Sequence, residues 1–171
     1  HILFGQAAVL QGPTSALGLG MKAGLEAAFE EANRKGGVHG RKIRLLSVDD
    51  GYEPSKSIAA TRKLIDEDEV FGLIGPVGTP TAVAAQPIAG AAKVPFIGAF
   101  TGASFLRNPK LDNVIKVRAG YDLETEAWVK HLTEDLKITK IAIFNKANAF
   151  GGAGWSGLEK AMRRRGLPIA A

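Results

Sequence analysis

The sequence predicts an α/β fold of doubly wound parallel sheets, and two observations support this prediction. Short apolar segments bounded by glycine or proline alternate with longer segments of helical periodicity, which is the pattern of βαβ units. Hydrophobic residues form 46% of the 171 residues and charged residues form 23%, as is typical of globular proteins. No apolar run approaches the ~20 residues of a membrane-spanning helix, so we expect no membrane span.

The first part of the chain alternates strand and helix twice. Residues 3–10 form an apolar strand, and residues 42–49 form a second strand with a helix between them. Apolar residues of that helix recur every three or four positions, which indicates one buried face: Leu17, Met21, Leu25, Ala28, Phe29 and Ala32. A second helix over 55–66 directs four residues inward, namely Ile58, Thr61, Leu64 and Ile65. This spacing predicts consecutive parallel strands with right-handed crossovers.

Two loops in the middle of the chain form the centre of the predicted site. A short apolar strand over 70–74 ends in a glycine-rich turn, after which Thr79 offers an N-cap hydroxyl and Pro80 opens a helix. That helix, over 80–92, leads to a second short strand over 94–98, which ends in another loop of glycine and hydroxyl residues. Parallel strands deliver both loops to one sheet edge, where open α/β folds bind ligands beside helix N-termini.

The remainder of the chain begins a second set of βα units. Residues 114–117 form a short strand, and a helix over 122–136 has the apolar set Leu123, Ala127, Trp128, Val129 and Leu132. A strand over 140–144 precedes a last helix that contains Ala153, Trp155, Leu158 and Met162. We interpret the segment 118–122 as a crossing between two lobes. Residues 1–119 then form a first, ligand-binding lobe that lacks its C-terminal return, and residues 120–171 form the truncated start of a second lobe.

The sequence gives little support for catalysis, metal binding or a cofactor. The chain has three histidines and no cysteine, and neither His39 nor His131 has a second ligand at metal spacing. The glycines match neither a phosphate-binding loop nor a dinucleotide fingerprint, and no nucleophile elbow is present. We therefore expect no catalytic residue, no metal, no cofactor and no enzymatic activity.

The basic charge of the chain does not favour a nucleic-acid partner. The net charge is +5, and part of it comes from three consecutive arginines at 163–165. Aromatic residues do not alternate with these basic residues, and cations at a helix C-terminus also complement its dipole. We expect a solvated helix end and no binding of nucleic acid.

The two central loops carry groups that suit a carboxylate and a hydrogen-bond donor. The backbone N–H groups of Gly78 and Thr79, with the Thr79 hydroxyl and the helix dipole behind them, favour a carboxylate. The Thr101 hydroxyl and the Ala99 carbonyl can accept hydrogen bonds from an ammonium or a hydroxyl group. From the residues alone, a second interpretation stays open, in which Thr79 merely caps its helix and Thr101 its turn.

Short motifs along the whole chain carry a family resemblance. In order, they are Gln11-Gly12-Pro13, Glu30-Glu31-Ala32-Asn33 before Gly36-Gly37, Gly40-Arg41-Lys42-Ile43, Asp49-Asp50 before Pro54, Lys63-Leu64-Ile65, Ile74-Gly75-Pro76, Val94-Pro95, Arg118 and Phe150-Gly151. In this order and spacing the chain resembles the type I periplasmic solute-binding proteins of ABC transporters, specifically the branched-chain amino-acid-binding (leucine/isoleucine/valine-binding protein-like) group. The resemblance implies two doubly wound lobes that close on a ligand like a clamp.

The resemblance also implies a set of ligand-binding residues. In the first lobe these are the loops that grip the α-carboxylate and α-amino groups, together with a residue at the start of the first helix that faces the ligand side chain: Val77, Gly78, Thr79, Ala99, Phe100, Thr101 and Leu17. From the second lobe, Phe150 closes over the ligand, and Asn148 lies in the loop before it. Asp122 either reaches the cleft or caps its helix, and both alternatives stay open.

Two departures from the family pattern bear on the ligand. The loop before Phe150 usually carries acidic residues, whereas residues 145–148 are Asn-Lys-Ala-Asn. Leu17 and Phe100 also make the side-chain pocket more apolar than an amino-acid clamp requires. We therefore expect a small carboxylate-bearing ligand, either a branched-chain or apolar amino acid or an aromatic acid.

The resemblance implies partners, a location and a longer parent protein. The expected function is solute capture in the periplasm after removal of a signal peptide, with delivery to an ABC transporter permease as the protein's only link to the membrane. The alternative is a cytoplasmic ligand-sensing regulator on the same fold. Family members have roughly twice this length, so we hypothesise an N-terminal fragment that either associates with itself or another chain or derives from a degraded protein.

Overall fold

The computed structural model describes residues 1–170 and contains one parallel sheet. The five strands are hydrogen-bonded in the order β2-β1-β3-β4-β5, and every pair is parallel. Their bounds are Ile2–Ala8 for β1, Ile43–Asp49 for β2, Gly72–Ile74 for β3, Phe96–Ile97 for β4 and Val114–Ile115 for β5. This arrangement confirms the predicted α/β class with doubly wound topology.

Five helices connect and follow these strands. They are α1 (Ser15–Arg34), α2 (Pro54–Arg62), α3 (Thr79–Ala91), α4 (Tyr121–Lys130) and α5 (Ala149–Arg164). Wider π-helical turns extend α2 and α4, at Lys63–Glu67 and His131–Asp135, and Ser104–Arg107 forms a short 3₁₀ helix. None of the helices in the described part of the chain is long and apolar enough to cross a membrane.

The chain divides into two compact units. Unit 1 comprises residues 1–101 and 109–117, and unit 2 comprises residues 102–108 and 118–171. The chain thus passes between the units three times within a short stretch. The predicted lobe boundary at residue 119 stays a prediction, and the two units are described separately below.

In unit 1 the two faces of the sheet differ in their burial. Leu73 and Phe96 are register partners on one face, and both are buried with Leu64 in the core. The next partners along the strands, Ile97 and Ile115, point to the opposite face because side chains alternate along a strand. Ile97 is half-buried and Ile115 is exposed, so the faces differ at this end of the sheet, whereas residues 5–8 of β1 are buried on both faces.

Unit 2 has its own core, formed by α4, α5 and the segment that joins them. Its buried residues are Val129, Ile141, Leu158, Ala161 and Met162, with Leu132, Ile143, Leu167 and Ile169 packed against them. Glu126 of α4 also forms ion pairs with Arg164 and Arg165 at the C-terminal end of α5. These two arginines hold the pKa of Glu126 at about 2, because their guanidinium groups donate hydrogen bonds to its charged form.

The structure corrects several predicted elements. Residues 140–144 do not form a regular strand, because among residues 1–170 they have a single bridge, from Ile141 to Ile169, and lack the continuous pairing that a strand requires. The predicted buried face of α1 is wrong at Leu17 and Ala28, which are exposed, and the fully buried position of α1 is Gly18. A side chain at residue 18 would meet the Val9 carbonyl oxygen at 1.8 Å, so the contact requires glycine.

In unit 2, part of the apolar pattern also faces outward. Leu123, Ala127 and Trp128 of α4 are exposed, Trp128 by 65%, because the face of α4 that packs on α5 carries Thr125 and Val129. In α5, Leu158 and Met162 are buried, whereas Trp155 is exposed.

Candidate functional site

The two central loops meet in unit 1, beyond the carboxyl ends of β3 and β4. Val77 and Phe100 form an isolated parallel bridge. The Phe100 N–H donates to the Pro76 carbonyl at 2.8 Å, and the Gly78 N–H donates to the Phe100 carbonyl at 3.4 Å. These bonds continue the pairing of β3 and β4 past the strand ends, so the backbone holds the loops side by side.

A buried pair of hydroxyl groups lies at the centre of this arrangement. The Oγ1 atoms of Thr79 and Thr101 are 2.7 Å apart, and both residues are 2% exposed. A hydroxyl offers one donor and two acceptor sites, so the bond to Thr101 leaves hydrogen-bonding capacity at the Thr79 oxygen. The Ala99 carbonyl accepts the Thr101 N–H at 2.8 Å and keeps a second lone pair. The prediction that these groups bind a ligand stays a prediction.

The N-terminus of α3 differs from the predicted one. Gly78, not Thr79, is the N-cap residue, and its φ of 108° is readily adopted only by glycine. Thr79 is the first helical residue, and its hydroxyl contacts Thr101 instead of capping the helix. Within residues 1–170 the Thr79 N–H has no acceptor, whereas the Gly78 N–H is already used by Phe100. Of the two predicted backbone donors, Thr79 is therefore the better placed.

Leu17 and Phe100 lie on one apolar groove of unit 1. The groove has a volume of about 450 Å³ and is lined by Ala16, Leu17, Gly20, Met21, Gly24, Leu25 and Phe100. Leu17 is 44% exposed and Phe100 is 39% exposed. The two predicted side-chain contacts are thus brought together on one accessible apolar surface, while Val77 is buried in a small cluster with Ala8 and Val9.

A turn after β2 also approaches these loops, and the sequence analysis did not include it in the site. Asp49 Oδ1 accepts the Leu10 N–H at 2.6 Å, and Asp50 Oδ1 accepts the Tyr52 N–H at 2.9 Å. The two carboxylates thus accept hydrogen bonds in separate turns. Asp50 is fully buried, its Oδ2 has no partner among the described residues, and burial raises its pKa, against the smaller opposing effect of the hydrogen bond from the Tyr52 N–H.

In unit 2, Asn148 and Phe150 occupy the start of α5. Asn148 is the N-cap residue, and its side-chain oxygen accepts the N–H groups of Phe150 at 3.0 Å and Gly151 at 3.1 Å. The Phe150 ring packs edge-on against Tyr121, with 5.7 Å between ring centroids. The Arg118 guanidinium carbon lies 5.4 Å from the centroid of the same Tyr121 ring. Sequence reasoning missed Tyr121, although it lies within the predicted crossing at residues 118–122.

Asp122 lies in the first turn of α4, where Gly120 is the N-cap residue. Its Oδ2 accepts a hydrogen bond from Lys160 Nζ at 2.9 Å. Of the two alternatives for Asp122, capping is therefore not observed, and contact with a ligand stays a prediction. Among residues 1–170, no group of three or more histidine, cysteine, aspartate or glutamate side chains could hold a metal ion.

Comparisons with known proteins agree on one family. The sequence model of the periplasmic binding proteins matches residues 2–171. The Leu/Ile/Val-binding protein BraC3 of Rhizobium johnstonii is 30% identical over 150 residues, which cover 88% of this chain and 41% of that protein.

Solved structures give the same result. A possible leucine/isoleucine/valine-binding protein from Rhodopirellula baltica superposes with a TM-score of 0.91 and 42% identity, over 96% of this chain and 44% of that one. A substrate-binding periplasmic protein from Ralstonia solanacearum superposes with a TM-score of 0.92 and 26% identity, over 99% of this chain and 48% of that one. The chain therefore spans less than half the length of these relatives.

Proposed function

This chain belongs to the periplasmic binding protein family, and from that premise we propose that it is part of an extracytoplasmic solute-binding protein. The ligand is a small carboxylate-bearing molecule, in the first place a branched-chain or other apolar amino acid and in the second an aromatic acid. The protein captures this ligand in the periplasm and passes it to an ABC transporter permease without changing it chemically.

The hydroxyl pair of Thr79 and Thr101 is the observation on which this proposal depends. The two groups lie 2.7 Å apart in a buried position, beside the Thr79 N–H, which has no acceptor in the described part of the chain. A ligand carboxylate at this point accepts from the Thr79 N–H and is favoured by the positive end of the helix dipole. The carbonyl of Ala99, on the neighbouring loop, accepts from an ammonium group of the same ligand.

The apolar groove beside these loops supports the choice of side chain. Leu17 and Phe100 present hydrocarbon surface, and an aliphatic or aromatic side chain that covers this surface gains roughly 25 cal/mol per Å² of apolar area removed from water. The names of the Rhizobium and Rhodopirellula relatives, which designate Leu/Ile/Val binding, point to the same ligand class. We further propose that Phe150, Asn148 and Asp122 contribute the contacts of the second lobe.

Calorimetric titration tests the proposal with leucine, isoleucine, valine, phenylalanine and benzoate. The combined change Thr79→Ala and Thr101→Ala should weaken binding by about 1–3 kcal/mol, because it leaves a charged ligand group without its partners. Thr133→Ala is the matched control, since the Thr133 hydroxyl bonds only within its own helix, to the Val129 carbonyl at 2.7 Å and to Lys130.

This chain covers less than half the length of its relatives. The test therefore compares the affinities of wild type and variant with each other. An unchanged affinity in the double variant would show that the hydroxyl groups only stabilise their turns. Absence of binding across all five compounds would contradict the proposed ligand class.

A further inference from the structure

The ring of Tyr52 packs directly against the backbone of Gly78, the N-cap residue of α3. A Cβ atom built at residue 78 would lie 2.6 Å from Tyr52 Cε2 and 3.0 Å from Cζ. The same atom would lie 2.7 Å from the Thr81 hydroxyl. The loop before Thr79 is therefore confined between an aromatic ring from the turn after β2 and the first turn of its own helix.

The backbone of Tyr52 is held in an unusual conformation. Its φ is 63°, a left-handed value that bulky side chains rarely adopt. The N–H of Tyr52 donates to the buried Asp50 carboxylate at 2.9 Å, and the Glu53 N–H donates to the Asp50 carbonyl, also at 2.9 Å. The Asp50 N–H in turn donates to the Ala8 carbonyl at 3.0 Å. The turn is thus fastened to the end of β1, and the Tyr52 ring is fixed with it.

The ring also contacts the small apolar cluster next to the loops. Tyr52 packs against the cluster of Ala8, Val9 and Val77. Val77 is bridged to Phe100, so a displacement of the 77–79 loop also displaces the loop that contains Thr101. Tyr52 therefore contacts the 77–79 loop at Gly78 and also packs against the cluster to which Val77 belongs.

We propose that Tyr52 is a positioning residue of the ligand site: its ring holds the 77–79 loop so that Thr79 faces Thr101. The inference rests on the proposed function of these threonines. Without the ring, Gly78 gains access to the wide range of backbone conformations that glycine permits. The loop then samples arrangements in which the two hydroxyl groups separate, and the binding-competent population falls.

Two substitutions at residue 52 distinguish the contribution of the ring from that of the turn. Tyr52→Asn removes the ring but suits the left-handed backbone, which asparagine adopts readily, so the turn and the fold are retained. Tyr52→Phe keeps the ring. Leu64→Ala serves as a control, because Leu64 is a fully buried residue elsewhere in unit 1 and its loss lowers stability without touching the loop.

Hydrogen exchange and calorimetry give independent readouts. In Tyr52→Asn we expect the Gly78 and Phe100 amides to exchange about tenfold faster relative to the amides of β1, as in local opening. We expect the Kd for leucine or benzoate to rise about tenfold, which corresponds to about 1.4 kcal/mol. Tyr52→Phe keeps the ring and should stay closer to the wild type than Tyr52→Asn in both measurements, and Leu64→Ala should leave the Kd unchanged.

The outcomes distinguish this inference from the proposed function. If wild type binds none of the probes, the proposed function fails, while the exchange of Gly78 and Phe100 still decides whether Tyr52 positions the loop. If Tyr52→Asn retains wild-type exchange at these amides and wild-type affinity, the positioning role is refuted. A loss of affinity as large in Leu64→Ala would likewise overturn it, because it would show a general effect of stability.

Discussion

Asp50 shows how one buried side chain can make stability depend on pH. Its carboxylate is fully excluded from solvent, and among the residues that the structure describes only Oδ1 has a partner, the Tyr52 N–H. Burial raises the pKa of Asp50 above its ordinary value of 3.8, because desolvation disfavours the charged form. The folded state therefore binds the carboxyl proton of Asp50 more tightly than the unfolded state does. The resulting contribution to stability is complete below pH 3.8 and is lost as the pH rises through the folded pKa.

Asp50→Asn should therefore gain stability relative to wild type as the pH rises above about 4. Asparagine keeps an oxygen for the Tyr52 N–H, and its amide group carries no charge to desolvate. Urea unfolding of both proteins between pH 4 and 7 measures the difference in free energy at each pH. A difference that stays constant over this range would show that Asp50 has the same pKa in both states.

At the scale of single residues, the sequence identified the loops but not the role of each side chain. Thr79 lies beside Thr101, and Leu17 and Phe100 line one groove, while the binding of a ligand by these four residues stays a prediction. The capping role assigned to Thr79 was wrong, because a glycine with positive φ supplies the N-cap and frees the hydroxyl. Tyr52 was missed because its contact with Gly78 joins loops from two different strands, and no local pattern reports such a contact.

At the scale of elements, α5 shows how a helix start is fixed by its loop. The Asn148 side chain caps the helix, and the chain of the preceding loop then passes directly over Gly151. A Cβ atom at residue 151 would lie 1.8 Å from the Lys146 carbonyl oxygen. The next residue, Gly152, has no atom within 4 Å of such a Cβ. Gly151 therefore has no room for a side chain, whereas the adjacent Gly152 does.

Gly151→Ala should destabilise unit 2, because either the loop or the helix start must move to admit the methyl group. We expect a loss of about 1–3 kcal/mol, which is typical of overpacking at a rigid contact. Gly152→Ala is the matched control and should instead stabilise the helix by about 0.5–1 kcal/mol. Thermal or urea unfolding of the two variants measures both effects. Equal effects of the two substitutions would contradict the contact with Lys146.

The sequence predicted the five helices and the first five strands because each has a strong local period or an apolar run between turn residues. It did not predict which apolar residues each helix buries. Leu17, Leu123 and Trp128 fit the helical period but are exposed, since burial depends on which neighbouring element covers each face. The segment 140–144 has a strand-like composition, yet it has only the short segment around Ile169 as a partner.

At the scale of the whole chain, the two units have separate cores. Leu64, Leu73 and Phe96 are buried in unit 1, whereas Val129, Leu158 and Met162 are buried in unit 2. Native proteins open in cooperative units that follow such boundaries. The resemblance predicted two lobes on family grounds, and the buried residues give each unit a physical basis for opening separately.

Met162→Ala should destabilise unit 2 selectively. Met162 is almost fully buried in the core of that unit, and truncation of such a residue costs about 2–5 kcal/mol through lost burial and the cavity that remains. Hydrogen exchange followed by mass spectrometry should show faster exchange in α4 and α5. The amides of β1 and β3 should keep their wild-type protection, because their own core is intact.

Leu64→Ala provides the reciprocal measurement, since Leu64 is fully buried in unit 1. It should accelerate exchange in the sheet of unit 1 and leave α4 and α5 unchanged, at a similar cost of about 2–5 kcal/mol. Each variant thus serves as the control for the other. If either substitution accelerated exchange equally in both units, the chain would unfold as one cooperative body. The two cores would then not open independently.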